Sequence, residues 1–415
     1  MSPLDIIKSA LRSLTDHKGR SLLTMLGVII GIGSIIVIMS IGDSAQYLVV
    51  EQIQSFGSKN VYINPGKASD GLFSQSGQTS ATLSTSLTLQ DVERLKRSVD
   101  VPDAVVVNPS VTLSESISYE SETKSATIMG SGAEVFSIYN LSMQTGERFS
   151  KEDVDARASV IVLGKNIASK LFGPQDPIGQ KVKIRDQKFK VIGIFSSKNS
   201  AMFGIDDMAT IPYTTAQQTL LGIRHFHEVV VQARDESAVP RMVEDVKRVL
   251  RDSHNIDNPD DDDFIITTQE DMIKSVNNIL GAITVFLSFV AAISLVVGGI
   301  GVMNVMFVSV TERTREIGLR KALGATDKTI LTQFLLEAVV LTGVGGIIGI
   351  LGGIILSYLL TIVASLVTTS SFPFVVSLPG IVLGLSVSCG AGIVFGVVPA
   401  YRASKKSPME ALRYE

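Results

Sequence analysis

Residues 21–42 read SLLTMLGVIIGIGSIIVIMSIG, a stretch without one charged side chain. A helix needs about 20 apolar residues to cross the hydrocarbon core of a bilayer, because its backbone groups must be paired internally. Three more stretches of this kind follow at 275–310, 329–366 and 378–401. The stretch 329–366 is interrupted only by Glu337. The sequence therefore predicts an α-helical membrane protein with four transmembrane helices.

Lys and Arg residues flank these spans unevenly. They occur before the first span, in the loop 311–328 and in the tail 402–415, whereas the segment 367–377 has none. Cytoplasmic flanks are enriched in Lys and Arg. We therefore expect both termini and the loop 311–328 in the cytoplasm, an outer hairpin loop at 367–377, and a large extracytoplasmic domain at 43–274.

The chain begins with an amphipathic pattern. Leu4, Ile7, Leu11 and Leu14 recur at helical spacing, and basic residues fall on another face. This pattern is typical of a helix that lies on a membrane surface, so residues 1–20 are predicted to form a cytoplasmic surface helix. The first apolar run is too long for a signal peptide, which favours an uncleaved anchor.

The overall composition fits a membrane protein and excludes other classes. Hydrophobic residues make up 45% of the chain, charged residues 19%, and the net charge is −3. The absence of a dense Lys/Arg tract argues against nucleic-acid binding. The single cysteine, Cys389, lies in an apolar run and cannot form an internal disulfide.

The segment 43–274 has the pattern of an α+β domain. Alternation from Val182 to Val191 predicts a β-hairpin. Further strands are predicted at 159–163, 229–232 and 264–267, and helices at 89–98 and 240–254, the latter with Pro240 at its first position. The Ser/Thr/Gly-rich segment 68–88 is predicted to be a mobile loop that could contact a partner.

Two groups in this domain resemble metal ligands without completing a site. His225 and His227 have no third ligand at an obvious spacing, and the acidic run 258–263 lacks the glycine and terminal glutamate of an EF-hand. We interpret both as solvated surface and predict no bound metal.

Small residues recur at every fourth position in three of the four spans, which allows helix backbones to approach closely. Glu337 is the only ionisable residue within the spans, and one carboxylate alone is a poor proton relay. We expect it to be paired or to reach toward the inner surface. The residues predicted to pack helices are Gly345, Gly349, Gly353, Gly384, Ser388, Gly392 and Gly396.

The loop 311–328 reads TERTREIGLRKALGATDK. Glu316 and Arg320 lie four residues apart, which favours a helix, and Gly324 is placed to end it. Ile317, Leu319 and Leu323 contribute to an apolar edge. A short, charged, amphipathic helix of this kind is suited to dock into a groove of a soluble partner.

The segment ERTREIGLRKALGAT at 312–326 resembles the coupling-helix loop of FtsX-like ABC permeases, in particular their MacB-like branch of macrolide exporters. Residues 163–184, the motif KVIGIF at 190–195 and the C-terminal PAYRASKKSPMEALRYE resemble other parts of the same family. The start LTMLGVIIGIGSIIVIMSIG at 23–42 fits as well. The resemblance covers nearly the whole chain.

The resemblance implies a bacterial cytoplasmic (inner) membrane protein whose outer domain has porter-like and inserted β-rich subdomains. It further implies a second permease protomer, an extracytoplasmic adaptor and an ABC ATPase that binds each coupling helix. ATP-driven closure of the ATPase would move the outer domain, a mechanism called mechanotransmission. The residues expected to dock the ATPase are Glu312, Arg313, Arg315, Glu316, Ile317, Arg320 and Lys321.

The sequence has no phosphate-binding loop of the form G-x-x-x-x-G-K-[ST]. Gly173 and the segment Gly179-Gln180-Lys181 come nearest, but their spacing is wrong and the final Ser/Thr is missing. The chain is therefore expected to be no enzyme and to bind no cofactor itself, with ATP and Mg²⁺ held by a separate ATPase chain.

Three functions remain open at the level of sequence. The first is efflux of antibiotics, peptides or other amphiphiles, which would confer antibiotic resistance. The second is transmembrane signalling to a cell-wall hydrolase, and the third is extraction of lipoproteins toward a carrier. The large outer domain and the segment KLFGPQDPIGQ at 170–180 favour efflux.

Overall fold

The computed structural model describes residues 18–55, 57–67, 85–196, 204–368 and 372–412. The chain divides into two units. The helical unit comprises Met1–Leu48 and Val276–Glu415, and the β-rich unit comprises Val49–Ser275. Most of the predicted surface helix (1–17) and of the predicted mobile loop (68–84) lies outside the described residues.

In chain order, the helices are α1 Lys18–Ser55, α2 Leu89–Leu95, α3 Val135–Ile138, α4 Lys151–Asp155, α5 Lys165–Phe172, α6 Tyr213–Thr215, α7 Val239–His254, α8 Gln269–Glu312, α9 Thr314–Ala322, α10 Asp327–Thr368, α11 Leu378–Ser404 and α12 Pro408–Leu412.

The strands, again in chain order, are β1 Asn60–Pro65, β2 Ala104–Tyr119, β3 Glu122–Ser131, β4 Ser142–Gly146, β5 Val160–Gly164, β6 Lys181–Ile184, β7 Gln187–Ser196, β8 Met208–Pro212, β9 Glu228–Ala233 and β10 Phe264–Thr268.

Among the residues that the structure describes, four helices are long and apolar enough to span a membrane. They are α1, α8, α10 and α11, in agreement with the prediction of four spans. The helices extend past the apolar stretches seen in the sequence: α1 reaches Ser55 and α8 already begins at Gln269. The additional turns contain good helix formers such as Gln52 and Lys274, which continue a helix without needing lipid around it.

Glycines bring the spans into backbone contact within the helical unit. A Cβ added at Gly27 of α1 would overlap the Cα of Gly298 on α8. On α10, a Cβ at Gly349 would lie 2.9 Å from the carbonyl oxygen of Ile29, and one at Gly353 would lie 2.8 Å from the Cβ of Ile36. Any larger side chain at these positions would push the helices apart.

The other residues of the small-residue pattern face neighbouring helices as well. Gly345 and Gly384 lie against α1, at Val28 and Ile32 respectively. Gly396 faces Ala338 on α10, and the hydroxyl of Ser388 donates to the carbonyl of Thr342 at 2.5 Å. The remaining member, Gly392, packs on the backbone of α10 at Val339.

The β-rich unit is built on one hydrogen-bonded sheet in the order β10-β1-β9-β2-β3-β8-β5-β7-β4, and β6 pairs with both β2 and β7. Most pairs are antiparallel, but β3 with β8 and β5 with β7 are parallel. The two parallel pairs are bridged by β8 and β5, which run antiparallel to each other. The unit is therefore α+β, as the sequence predicts.

The predicted hairpin is present as β6 and β7. Val182 pairs with Phe189 and Ile184 with Gln187, which places Arg185 and Asp186 in the turn. Arg185 has a φ of 51°, as a tight hairpin turn requires. Because Val182, Ile184 and Phe189 are fully buried, the alternating pattern in the sequence marks the face that packs into the main core.

Two details of the sequence interpretation need correction. Helix α7 begins at Val239, so Pro240 occupies its second position rather than its first. The acidic run is also more than solvated surface: Arg251 forms two hydrogen bonds with Asp262, at 2.8 and 2.7 Å, and His254 lies 2.6 Å from Asp263. Both partners lie on the last turn of α7, and their proximity to the run arises only in the folded chain.

His227 also has a partner within the protein, because its Nδ1 accepts a hydrogen bond from the backbone amide of Thr112 at 3.0 Å. Across the described part of the chain, no three His, Cys, Asp or Glu residues group as metal ligands would.

Candidate docking helix

Helix α9 forms a short, well-defined connection between α8 and α10. It begins at Thr314 after a break in helical geometry at Arg313 and ends at Ala322. Gly324 has a φ of 99°, and the amides of Gly324 and Ala325 donate to the carbonyls of Lys321 and Arg320. These two bonds form a Schellman motif, which fixes the end of the helix where the glycine was predicted to place it.

One face of α9 packs against the rest of the helical unit. Ile317 is fully buried, and Thr314 is buried while its hydroxyl donates to the carbonyl of Val310 at 3.0 Å. Gly318 faces α12, where an added Cβ would lie 2.6 Å from the Cβ of Ala411. The absence of a side chain at residue 318 thus allows α9 and α12 to touch.

Two arginines tie this loop to α10. The guanidinium of Arg313 donates to both carboxylate oxygens of Glu337, at 3.2 and 3.4 Å. Arg320 donates to Gln333 at 3.1 Å and to Glu316 at 2.5 Å. The expectation that Glu337 is paired therefore matches the structure, and its partner comes from the loop itself.

Lys321 ties the same loop to the end of α11. Its ammonium donates to the carbonyl of Ser404 and to that of Lys406, the latter at 2.9 Å. It also lies 2.9 Å from Asp327, which in turn is 3.2 Å from Lys405. Lys321 neutralises carbonyl groups at a helix C-terminus, where positive charge is favourable.

The opposite face of α9 and its flanks are exposed. Arg315, Glu316 and Leu319 lie on this face, and Leu319 and Leu323 expose 54% and 81% of their surface. Arg315, Glu316, Leu319 and Leu323 recur at spacings of three and four and so share one side, and Glu312 is exposed at the end of α8. A ridge of two leucines flanked by charges of both signs is suited to a groove on another protein.

The seven residues predicted to dock the partner thus fall into two groups. Glu312, Arg315 and Glu316 are exposed, whereas Arg313, Ile317, Arg320 and Lys321 contact other parts of the helical unit. The predicted apolar edge also divides, because Ile317 points inward while Leu319 and Leu323 point outward. Spacing could have separated the three apolar residues: Leu319 and Leu323 follow Arg315 and Glu316 at helical intervals, and Ile317 does not.

The β-rich unit contains a charged group that sequence reasoning missed. Asp91 is almost fully buried and lies 3.3 Å from His254, while its other oxygen accepts from Ser253. Burial alone would raise the pKa of Asp91, but His254 and the hydrogen bonds from Ser253 and Thr88 lower it below its usual range. The same carboxylate raises the pKa of His254 to about 9.

Models of two protein families match the chain. A MacB-like periplasmic core domain matches residues 21–249, and an FtsX-like permease C-terminal domain matches residues 288–408. The first match includes β1 to β9, and the second includes α9, α10 and α11.

Curated relatives align along nearly the whole chain. The macrolide export ATP-binding/permease protein MacB of Neisseria gonorrhoeae is 33% identical over 411 residues, which are 99% of this chain and 61% of that protein. MacB of Azoarcus sp. is 36% identical over 418 residues, covering 99% of this chain and 60% of its own. A probable export ATP-binding/permease protein of Pseudomonas fluorescens is 36% identical over 403 residues, covering 96% and 59%. The chain therefore spans about 60% of the length of these relatives.

Two solved structures show more distant similarity. The periplasmic region of MacB from Actinobacillus actinomycetemcomitans matches with a TM-score of 0.46 at 21% identity, covering 55% of this chain and 97% of that one. The extracellular domain of the ABC-type transporter YknZ from Gram-positive bacteria matches with a TM-score of 0.41 at 20% identity, covering 50% and 100%.

Proposed function

Because the chain belongs to the family of MacB-like, FtsX-like ABC permeases, we propose that it is a permease subunit whose helix α9 docks an ABC ATPase. The observation that carries this proposal is the division of α9 into two faces. Arg315, Glu316, Leu319 and Leu323 are exposed, and the opposite face is anchored to the protein. A helix held on one side and exposed on the other can receive force from a bound partner.

The anchoring contacts would carry that force to two spans. Arg313 and Arg320 connect α9 to α10, through Glu337 and Gln333. Lys321 connects α9 to the end of α11 at Ser404. We propose that ATP hydrolysis by the docked ATPase displaces α9, and that α10 and α11 move with it because they are bonded to it. ATP and Mg²⁺ would be bound by the ATPase.

The proposed transport takes place outside the membrane core. Within the described parts of the four spans, the buried ionisable side chain is Glu337, and it is paired with Arg313. Such an arrangement offers no series of polar groups for a substrate to follow. We propose that the permease exports antibiotics, peptides or other amphiphiles by moving the β-rich unit, together with an extracytoplasmic adaptor. The names of the relatives support macrolides as one substrate class.

A second copy of the permease is the proposed partner within the membrane. Only 6% of the most apolar stretch of α8 is buried, compared with 33%, 22% and 28% for α1, α10 and α11. Asn304 lies on the exposed side of α8, about 12 Å from the end of the helix at 1.5 Å per residue. Its amide could pair with that of a second copy, because an amide both donates and accepts.

Co-expression with the ABC ATPase encoded nearest to this chain tests the docking proposal. The tagged permease is purified, and the retained ATPase and its turnover are measured for the wild type and for the double variant Arg315→Glu, Leu323→Asp. We expect the variant to retain at most a tenth of the ATPase, because both changes lie on the exposed side of the α9 region.

Lys328→Glu is the matched control, since Lys328 is exposed at the start of α10 but is not part of α9. It should retain wild-type binding. The proposal fails if the wild type retains no ATPase, or if the double variant binds and stimulates it as the wild type does.

A further inference from the structure

The β-rich unit contains an apolar cavity of about 330 Å³. Its wall includes three methionines, Met129, Met208 and Met272, which come from β3, β8 and the start of α8. Methionine side chains adapt to ligands of different shape. A cavity of this size is at the lower end of the range for small-molecule sites.

Among the described residues of the wall, one carboxylate faces this cavity. Glu228 begins β9, and the hydroxyl of Tyr139 donates to its Oε1 at 3.3 Å. Tyr62 contributes a second aromatic ring to the wall. None of the described residues that line the cavity is Lys, Arg or His. A carboxylate in apolar surroundings is costly when ionised unless a cation accompanies it.

We propose that this cavity binds a small apolar molecule that carries one protonated amine, with the ammonium group at Glu228 and the apolar body against the methionines. The ammonium supplies the positive charge that the described wall lacks. The rings of Tyr62 and Tyr139 provide faces that attract cations. The cavity volume limits the ligand to a small molecule.

Burial raises the pKa of Glu228 to about 7, although hydrogen bonds from Tyr139 and Ser110 act in the opposite direction. Tyr62 and Tyr139, the other titratable side chains of the cavity wall, stay neutral at that pH. A second pocket beside Glu228 is lined by Arg185, His225 and His227, and Arg185 is paired there with Glu115. Burial raises the pKa of both Tyr62 and Tyr139 above the usual value, and it lowers the pKa of His227, the preceding residue on the chain. Amine binding should therefore strengthen from pH 6 to pH 8, as Glu228 loses its proton.

Two residues of the cavity wall belong to helices that contain membrane spans. Ile53 of α1 and Met272 of α8 both contribute to the wall, and both helices continue into membrane spans. A bound ligand would therefore contact the helices that lead out of the β-rich unit.

The test uses the full chain in lipid nanodiscs with 1-naphthylmethylamine as the probe and 1-ethylnaphthalene as its uncharged counterpart. The chain has no tryptophan, so naphthalene fluorescence can be followed over a low background. Empty nanodiscs report partition into lipid. We expect saturable binding of the amine at pH 8, with an affinity at least tenfold lower at pH 6 and in Glu228→Gln.

Two further variants complete the design. Glu93→Gln removes an exposed carboxylate elsewhere in the unit and should leave binding unchanged. Ala209→Leu enlarges a fully buried wall residue and should weaken binding of both probes. The proposal is overturned if the amine shows no saturable binding, if both probes bind equally, or if Glu228→Gln has no effect on the amine. The test requires no ATPase, so its result is independent of the docking proposal.

Discussion

Glu337 in the helical unit is buried and Glu228 in the β-rich unit is half-buried, and the surroundings of their two carboxylates differ. Glu337 receives two hydrogen bonds from the guanidinium of Arg313, whereas Glu228 is hydrogen-bonded by the neutral hydroxyls of Tyr139 and Ser110. The first carboxylate already has the cation it needs, and it connects α10 to the docking loop. The second faces no cation among the described residues of the cavity wall, which leaves its charge available for a ligand or a proton.

Removing the cation from Glu337 should have the largest effect. Arg313→Met leaves a buried carboxylate without a partner, and breaking such a pair costs about 3 kcal/mol in unfolding free energy. Thermal unfolding of the helical unit in detergent should show a clear fall in Tm. The double variant Arg313→Met, Glu337→Gln removes both charges and should recover most of that loss. If the single variant melts like the wild type, the pair does not stabilise the loop.

Removing the charge of Glu228 should stabilise the protein, whereas removing the cation from Glu337 should destabilise it. Its pKa is about 7 in the folded protein, above the ordinary value, so the folded state binds the extra proton. The resulting stability is present below about pH 4.5 and is lost as pH rises through 7. Glu228→Gln should therefore raise the unfolding free energy at pH 8 by about 2 kcal/mol relative to the wild type. The gain should nearly vanish at pH 4.5, and an equal gain at both pH values would contradict the assignment.

Asp91 is a buried carboxylate of the β-rich unit that has a cation nearby, His254. It therefore shows what a neighbouring cation does to the stability of a buried carboxylate outside the membrane helices. The pKa of His254 is raised to about 9, so its contribution is complete below the unfolded value near 6.5 and is lost as pH rises through 9. His254→Gln should lower stability at pH 6 by about 1 kcal/mol after allowance for solvent screening.

The same variant should lose much less at pH 9.5, where the wild type has also lost the charge. Urea unfolding of the β-rich unit at both pH values checks this expectation. A loss that is independent of pH would show that His254 acts by packing alone.

The pair between Arg320 and the exposed carboxylate of Glu316 should show the smallest effect on stability. Arg320 and Glu316 lie four residues apart at 2.5 Å, and the Glu316 side chain is 48% exposed. Such pairs contribute about 0.3–0.5 kcal/mol. Glu316→Gln should therefore shift the Tm by about a degree at low salt and by less at high salt. A Tm shift as large as that of Arg313→Met would mean that the two ion pairs contribute equally to stability despite their different exposure.

Local patterns in the sequence were enough for much of the fold. The four spans follow from their length and lack of charge, the β6–β7 hairpin from alternation around Asp186, and the end of α9 from Gly324. Each of these depends on residues that are close together in the chain. The side-chain period of a strand or helix directly reports which face is buried.

The features that were missed depend on residues far apart in sequence. Asp91 meets His254 across 163 positions, and the wall around Glu228 draws residues from Ile53 to Met272. A single sequence carries no signal for which distant segments meet. Spacing separates Ile317 from Leu319 and Leu323, but which side of α9 is covered depends on distant segments, such as Ala411 of α12, which Gly318 contacts.

The contact between Gly27 and Gly298 has a consequence for the speed of any rearrangement of α1 against α8. The two backbones meet without a side chain between them. Glycine has no side-chain rotamers, so the side-chain entropy does not change when this contact forms or breaks. Relative sliding of the two helices would meet no barrier from side-chain rotation at this point. The time that such a step takes would be set by the bulkier contacts above and below it.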